Sequence, residues 1–405
     1  MTAPSSDEKQ RAPVETLWPS TRLEALANAH GTPTFVYDGH EVHRRIRRVR
    51  DAFGADVGLL YGVKANPLPA LLESIRDAVD GLDVASEGEL HAALAAGYAP
   101  EHLRLAGPAK THALLDEAVA RNISVSVESP DELEEVAALA QQHQRCADVA
   151  LRLEPPEPRH VFGLAMSGPR RPFGLDAAES DAALRIVKDA ADVLRLRGIH
   201  VYGGTQCRSG RGWLAYLASV LDLAESVVRR GHGVREINAG GGFGIQTTRG
   251  RELDIASVGP KARRMMAKFN GAPRFVIELG RFLAADAGVY LTRVRRIKTR
   301  ADRRIAILDG GVHHLWATTG QLGPTPPSVA VAPRPPGRTE LFGPLCTPLD
   351  RLGTVDVAVE RGDIVAFLQS GAYGASLSPS AFLSHPPARE VWLPPTASPR
   401  GHSKT

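Results

Sequence analysis

Cysteine is scarce in this sequence: 405 residues contain three, Cys146, Cys207 and Cys346. None of them belongs to a CxxC motif, which argues against a structural zinc site and against a disulfide framework. Cys146 and Cys207 are interpreted as packing residues. Few cysteines without such spacing are typical of a reducing compartment, so we predict a cytoplasmic location.

Long apolar runs are also missing. No run approaches the roughly 20 residues that a membrane-spanning helix needs. The N-terminal MTAPSSDEKQRAPVE has no apolar signal-peptide core. We therefore predict no membrane partner, a disordered leader over residues 1–20 and a disordered tail over residues 398–405.

Neither sign of charge dominates the composition. There are 49 Lys+Arg and 45 Asp+Glu, a net charge of +4. The excess is spread along the sequence, whereas nucleic-acid-binding proteins usually concentrate their basic residues. We predict no nucleic-acid partner and a surface that tolerates acidic partners.

What the sequence does contain is alternation between residues 55 and 285. Short apolar runs alternate with helix-like segments, and SEGEL and SPDEL place serine before acidic residues at two helix starts, as N-caps require. The runs are VGLLYGVKAN, GLDVAS, LRLAGP, ISVSVES, DVALRLEP, IHVYGGT, REINAGG and RFVIELG. Eight such units over about 250 residues predict an α/β fold with a (β/α)8 TIM barrel, assigned to residues 46–285. A doubly wound sheet is the competitor, but GxGxxG after the first strand and GxxxxGKS or GxxxxGKT are absent.

The sequence pattern changes after Ala285. Strand-like runs such as GVYLTRVRRIKTR and VDVAVERGDIVAFLQSG are separated by loops rich in proline and glycine. This pattern predicts a C-terminal β domain over residues 286–397. The early TPTFVYDG is also strand-like, so we assign residues 21–45 to a segment that joins the β domain.

Polar or glycine residues end nearly every predicted barrel strand. They are Lys64; Asp83 and Ser86; Gly107; Glu128; Arg152 and Glu154; His200, Tyr202 and Thr205; Gly240, Gly241 and Gly242; and Glu278, Gly280 and Arg281. The C-terminal rim of such a barrel carries its chemistry. The glycines let backbone amides approach a phosphate. A phosphate site facing Lys64 suggests pyridoxal 5'-phosphate (PLP), whose aldehyde would form a Schiff base with that lysine.

The motifs YGVKANP, LDVASEGEL, GPAKT, SVESPDEL, GIHVYGGTQ, NAGGGFG, IELGR, GPLCTPLD and SGAYG occur in this order. Together they resemble the fold-type III PLP-dependent decarboxylases, the family of ornithine, arginine and diaminopimelate decarboxylases. The resemblance runs from about Thr32 to Val391 and implies an alanine-racemase-like fold. FGLAMSGPRRPFGLD, DGGVHHL and LQSGAYGASLSPSAFLSHPPAREV resemble more narrowly a subgroup of specialised biosynthesis. That subgroup includes a butirosin-pathway enzyme acting on a glutamyl group tethered to an acyl carrier protein.

The family resemblance implies a role for each matching residue. Lys64 would carry the cofactor and Cys346 would protonate Cα from the partner subunit, so a homodimer with shared sites is expected. Glu278 would face the pyridine nitrogen, where a racemase has arginine, and Tyr202 would take the place of a stacking histidine. The remaining cofactor-binding residues would be Asp83, Thr205, Gly240, Gly241, Gly242, Gly280, Arg281 and Tyr373. The substrate-binding residues would be His200, Asp309, Thr347 and Asp350.

Two departures from the family bear on the substrate. Thr347 stands where enzymes acting on diamino acids carry a carboxylate, which disfavours a distal ammonium group. Ala317 replaces an arginine of the diaminopimelate enzymes. The sequence therefore favours decarboxylation of an amino acid or of a carrier-tethered aminoacyl group. Diaminopimelate or another free amino acid, racemisation, and a catalytically silent binding protein are the alternatives.

Each residue that is given a chemical role also has a purely structural interpretation. Lys64 could be a strand-end lysine that reaches solvent, the glycines could merely pack helix on strand, and Cys346 could be a small buried hydrophobe. The pair His313–His314 could suggest a metal, but no ligand spacing accompanies it, so no metal is predicted.

Overall fold

The computed structural model describes residues 14–155, 161–168, 170–247, 250–320 and 329–395. Its strands are β1 (Thr34–Asp38), β2 (Gly58–Gly62), β3 (Gly81–Val84), β4 (Leu103–Leu105), β5 (Ser124–Val127), β6 (Ala147–Arg152), β7 (Leu164–Ala165), β8 (Leu194–His200), β9 (Gly204–Thr205), β10 (Glu236–Gly241), β11 (Arg274–Leu279), β12 (Gly288–Arg300), β13 (Arg303–Leu308), β14 (Val329–Val331), β15 (Pro336–Phe342), β16 (Arg351–Val357), β17 (Ile364–Leu368) and β18 (Arg389–Leu393). Its α-helices are α1 (Val14–Leu17), α2 (Ser20–His30), α3 (Gly39–Phe53), α4 (Pro69–Ile75), α5 (Glu87–Ala95), α6 (His112–Ala120), α7 (Pro130–Gln142), α8 (Ala177–Asp189), α9 (Gly210–Arg229), α10 (Ile255–Met266) and α11 (Arg281–Ala284).

Eight parallel strands close into a barrel in the order β10-β11-β2-β3-β4-β5-β6-β8. Each predicted apolar run supplies one of them, so the predicted TIM barrel is confirmed. Strands of a parallel barrel are covered on both faces, which explains their near-continuous apolar sequences. β2, β3 and β5 are buried along their whole length.

Side-chain caps fix the starts of the barrel helices. Ser86 accepts a hydrogen bond from the Glu89 amide at the start of α5, and Ser129 accepts one from the Glu132 amide at the start of α7. Both caps were predicted from SEGEL and SPDEL. Such a cap contributes about 1 kcal/mol to helix stability, and here it also fixes where each loop at the barrel rim ends.

β7 and β9 pair with each other in a two-stranded sheet. The strands of the β unit form a largely antiparallel sheet in the order β14-β17-β12-β13-β15-β16. β1 joins it by antiparallel pairing with β12 and parallel pairing with β18. The chain divides into two compact units: Arg47–Phe282, which contains the barrel, and Met1–Ile46 with Leu283–Thr405, which contains this sheet. We call them the barrel unit and the β unit.

The predicted leader over residues 1–20 is wrong from Val14 onward. α1 and α2 occupy this stretch, and the Trp18 ring is 1% exposed and donates a hydrogen bond to the Asp286 carbonyl at 3.1 Å. Trp18 packs with Leu23 in the core of the β unit; these sparse apolar residues were hidden among polar neighbours in the sequence. Residues 1–13 and the predicted tail over residues 398–405 lie outside the described residues.

Across the part of the chain that the structure describes, no helix has both the length and the apolar character to cross a membrane.

Candidate active site

The C-terminal rim of the barrel brings a lysine and a buried carboxyl group together. Lys64 lies in the 3-10 turn Val63–Ala65 directly after β2, and its Nζ is 2.9 Å from Oδ2 of Asp83 in β3. The Lys64 side chain is 41% exposed, whereas that of Asp83 is 3% exposed. The Lys64 Nζ also lies 5.6 Å from the ring centroid of Tyr202, within cation–π range. Lys64 is therefore held at one point on the rim with its amine accessible from outside.

Burial and neighbouring charges together set the pKa of Asp83. Burial raises the pKa of Asp83, the charge of Lys64 opposes that rise, and the nearby carboxylate of Glu278 adds to it; the net pKa is raised. The strongest opposing contribution comes from Lys64, so the two side chains depend on each other. Asp83 fixes the direction of the amine.

Glu278 in β11 is the second buried acid of the rim. Its Oε2 accepts a hydrogen bond from Asn238 Nδ2 at 3.1 Å and lies 3.2 Å from His200 Nε2. Burial by itself raises the pKa of Glu278, but the charge and contact of His200, the charge of Lys64 and the Asn238 hydrogen bond outweigh it and lower the pKa to about 2. Glu278 is therefore a carboxylate at neutral pH.

His200 lies between Ser126 and Glu278 inside the barrel. It ends β8, is 4% exposed, and its Nδ1 lies 2.7 Å from Ser126 Oγ. Its Nε2 faces Glu278 without a well-aligned hydrogen bond. The imidazole thus lies between two buried barrel side chains, and its contact with substrate stays a prediction.

Ser126 and Asn238 were missed by sequence reasoning. Both are buried and hold His200 and Glu278. A signal did exist for Ser126, since side chains two residues apart on a strand share a face. Ser126 is two residues before Glu128, and Asn238 is two residues before Gly240. Ser126 therefore shares a side with Glu128, whereas the register of β10 shifts between Asn238 and Gly241, so alternation gave no signal for Asn238.

The three glycines after β10 lie in a crowded loop. Gly240 and Gly242 have φ values of +59° and +68°, which disfavour any other residue. A Cβ on Gly242 would lie 2.0 Å from the Gly204 carbonyl oxygen, and one on Gly241 would lie 2.1 Å from that of Glu278. The Gly240 amide donates to Asn238 Oδ1 at 2.9 Å, so it is already used within the loop. These contacts support the packing interpretation, and the role of the segment in binding phosphate stays a prediction.

Thr205, Gly280 and Arg281 lie around the same rim. Thr205 is in the short strand β9, one residue after Gly204, which packs on Gly242. Gly280 follows β11, and a Cβ there would lie 2.7 Å from that of Ala65. Arg281 is the first residue of α11. The loops after β8, β10 and β11 thus converge next to the Lys64 turn.

The β unit carries the remaining predicted residues. Cys346 is exposed in the loop between β15 and β16, so it is not the buried hydrophobe of the competing interpretation. Thr347 Oγ1 accepts a hydrogen bond from the Leu349 amide at 3.3 Å in the same loop. Tyr373 follows β17 with a φ of +57°, an unusual conformation for a tyrosine.

Two predicted substrate ligands, Asp309 and Asp350, are occupied by their own unit. Asp350 is 1% exposed and accepts from the amides of Val312 and Leu345 at 2.7 and 2.8 Å. Asp309 accepts from the Thr32 hydroxyl at 2.6 Å and from the Arg293 amide at 2.8 Å. Both carboxyl groups fasten loops, and their contact with substrate stays a prediction.

The other cysteines and histidines do not form a second centre. Cys207 is buried, which raises the pKa of its thiol to about 11, and Cys146 is exposed, contrary to its interpretation as a packing residue. His313 is fully buried and its ring centroid lies 3.8 Å from that of His314. Among the described residues, no three His, Cys, Asp or Glu side chains are placed to hold a metal ion.

Comparison with known proteins defines the class. Residues 39–285 match the family described as pyridoxal-dependent decarboxylase, pyridoxal binding domain. The L-glutamyl BtrI acyl-carrier protein decarboxylase of Niallia circulans is 34% identical over 388 residues, covering 91% of this chain and 90% of that protein. Diaminopimelate decarboxylase of Aquifex aeolicus is 29% identical over 91% of this chain and 88% of that protein.

Solved structures agree on the fold. AQ1208 from Aquifex aeolicus superposes with a TM-score of 0.81 at 28% identity, covering 92% of this chain and 88% of that one. Diaminopimelate decarboxylase from Helicobacter pylori, complexed with L-lysine, gives a TM-score of 0.83 at 24% identity, over 91% and 93% of the two chains. The fold and rim are thus those of a PLP enzyme of the fold-type III class. This chain belongs to the pyridoxal-dependent decarboxylase family, and it is a PLP-dependent amino-acid decarboxylase.

The residues of the barrel rim fit PLP. Gly62 leaves open space between Lys64 and Gly280, where an added Cβ would have its nearest neighbours at 3.9 and 4.0 Å. An accessible lysine amine borders that space on one side. Glu278, which the family resemblance would place at the ring nitrogen, is held as a carboxylate, so the donor set has the chemistry that the cofactor requires.

Proposed function

We propose that this chain removes the α-carboxylate of a glutamyl-like group tethered to a carrier protein, as part of a specialised biosynthesis. The observation that carries the decarboxylase chemistry is the ionised, buried Glu278. A racemase of this fold would have a cation there, which would weaken the electron sink. The 34% identity to the Niallia circulans enzyme supports the carrier-tethered substrate.

The barrel residues would hold the cofactor in a fixed direction. Lys64 would supply the amine, with Asp83 orienting it. Glu278 would keep a proton on the ring nitrogen, since its carboxylate stays charged at neutral pH. When bound, PLP supplies an electron sink for the pair left on Cα after CO2 departs. Tyr202 would cover one face of the ring, and Gly241, Gly242, Gly280 and Arg281 with Thr205 and Tyr373 would hold the phosphate.

The proton that replaces CO2 would come from the Cys346 thiol of a second copy. A homodimer through the Cys346 loop would bury Leu349, which lies three residues after Cys346 and whose apolar side chain is 74% exposed. Full decarboxylase activity of a Cys346→Ala variant would rule out Cys346 as the proton donor.

Thr347 and Ala317 bear on the choice of substrate. The Thr347 hydroxyl is neutral and belongs to a turn, so it offers no counter-charge to a distal ammonium group. Free diaminopimelate is the second candidate, favoured by the 29% identity to the Aquifex aeolicus enzyme. The absence of the family arginine at Ala317 argues for the carrier-bound substrate.

The test is CO2 release by the purified holoenzyme from free L-glutamate, free diaminopimelate and an acyl carrier protein loaded with L-glutamate. We expect release from the loaded carrier protein at a kcat/KM at least about 100-fold above that for free glutamate, because remote binding energy raises kcat/KM. Chiral chromatography of the unreacted substrate distinguishes racemisation from decarboxylation. Release from diaminopimelate alone would move the assignment to the second candidate, and no release from any substrate would favour a silent binding protein.

A further inference from the structure

One face of the β unit carries a cluster of exposed cations. Strands β12, β13, β15 and β16 are hydrogen-bonded neighbours, and alternate residues of each point to the same side. The charged residues on that side are Arg296, Lys298, Arg300, Arg303, Arg338 and Arg351, with the acids Glu340 and Asp356. We call this set the arginine face.

Strand register and ion pairs establish the arginine face independently. Arg300 pairs directly with Arg303, and Ile305 pairs with both Lys298 and Glu340. Arg303 forms a two-bond ion pair with Glu340 at 2.6 Å, and Arg351 lies 3.6 Å from the same carboxylate. The six cations and Asp356 are exposed, and Glu340 is half-buried.

The cations of this face outnumber its acids. Six cations stand against Glu340 and Asp356 on the strands and Asp302 in the turn between β12 and β13, whose charge acts on Arg303, and this leaves a net charge of +3. No acidic side chain among the described residues lies within ion-pair distance of Lys298 or Arg300, so their charge remains available to a partner.

The composition of the face favours a protein over a nucleic acid. Between the cations lie the half-buried Ile305, Ile307 and Phe342, which offer apolar contact. Single-stranded nucleic acids are usually bound by several aromatic rings on which bases stack, and Phe342 is the one aromatic residue of the four strands on this side. A second copy of this chain is disfavoured, since like charges would meet across the interface.

We propose that the arginine face docks the acidic surface of the carrier protein that presents the substrate. This inference rests on the carrier-tethered substrate proposed above. β15 and β16 flank the loop that carries Cys346, and Phe342 is four residues before that cysteine. A partner held on this face would therefore deliver its tethered group beside the loop that the reaction uses.

The test measures binding rather than turnover. An acyl carrier protein with its phosphopantetheine arm loaded with L-glutamate is titrated into the holoenzyme at about 0.05 M and about 0.3 M salt. We expect the wild-type Kd to rise at least roughly tenfold over that range, since exposed charges are screened. The triple variant Arg296→Glu, Lys298→Glu, Arg300→Glu should bind at least roughly tenfold more weakly at low salt.

A matched control reverses three exposed cations on or just after α10 of the barrel unit: Lys261→Glu, Arg264→Glu and Lys268→Glu. It has the same charge change and should keep the wild-type Kd. Turnover of any free amino acid that the enzyme accepts should be the same in all three proteins, which shows that the variants are folded.

The proposal would be overturned by equal affinity of wild type and the triple variant of Arg296, Lys298 and Arg300, by equal loss in the control, or by no binding of the carrier protein to wild type. Equal affinity for an RNA oligonucleotide of matched charge would do the same, because the face would then be a general polyanion surface. Failure of the proposed function has a separate signature, the absence of CO2 release by wild type from every substrate.

Discussion

At the scale of single residues, Glu278 is the side chain on which the decarboxylase assignment depends. It stays ionised although it is buried, because His200, Lys64 and Asn238 compensate the loss of water. We expect Glu278→Gln to lower kcat for CO2 release by roughly 100-fold, since a neutral amide cannot hold the ring proton as a carboxylate does.

The control for this change is Glu117→Gln on the surface of α6, where Glu117 pairs with His91 and Arg121. It should leave kcat unchanged. Full activity of the Glu278→Gln enzyme, measured as CO2 release with saturating PLP, would show that the carboxylate is not needed.

His200 gives a pH-dependent prediction. The pKa of Glu278 is lowered, so its charged state persists down to about pH 2 in the wild type, and His200 is the largest contributor to that lowering. In His200→Ala, Glu278 stays buried but loses the neighbouring charge that compensates for its burial. The pKa of Glu278 therefore rises, and Glu278 becomes partly protonated at the pH of the assay. We expect kcat to fall roughly tenfold at pH 5 and to change little at pH 8.

The pH–rate profile distinguishes this positioning role from simple loss of packing, which would lower kcat equally at both pH values. His102→Ala, which removes an exposed histidine bonded to the Asp80 carbonyl, should leave the profile in place. A parallel downward shift of the His200→Ala profile would contradict the account.

At the scale of elements, Asp350 joins two loops of the β unit. Its two oxygens accept the amides of Val312 and Leu345, and so connect the loop after β13 to the loop that carries Cys346. Asp350→Ala leaves both amides without an acceptor, at a cost of about 2–4 kcal/mol. We expect faster hydrogen exchange at those amides, and an intermediate effect for Asp350→Asn, which keeps one acceptor.

The exposed Asp302 in the turn between β12 and β13 offers the control, and Asp302→Ala should leave exchange at Val312 and Leu345 unchanged. If Asp350→Ala also left it unchanged, the two loops would be held by other contacts.

The elements also show where sequence reasoning succeeds. Buried parallel strands are apolar along their length, and serine caps occur before acidic residues, so the barrel and the starts of α5 and α7 were predictable. The hydrogen-bond partners of Asp309 and His200 were not, because they lie between 16 and 277 residues away. A strand pattern gives the direction of a side chain but not what lies opposite it.

At the scale of the whole molecule, the exposed Leu349 beside Cys346 leads to a prediction about assembly. We expect the wild type to sediment as a homodimer at micromolar concentration. Leu349→Asp should raise the dimer Kd at least about tenfold, because an apolar anchor at an interface contributes more than about 1 kcal/mol.

Val228→Asp tests whether any exposed apolar residue would have the same effect. Val228 is 46% exposed on α9 of the barrel unit, and its variant should remain dimeric. A wild type that sediments as a monomer, or a Leu349→Asp dimer of unchanged affinity, would contradict shared active sites.

The central claim is that Lys64 carries PLP in an amino-acid decarboxylase. The most direct measurement is borohydride reduction of the purified holoenzyme, followed by mass spectrometry of its peptides. We predict one pyridoxyl adduct, on the peptide that contains Lys64, and none on the exposed Lys261 or Lys268. An adduct on another lysine, or no adduct in a protein that releases CO2, would contradict the account.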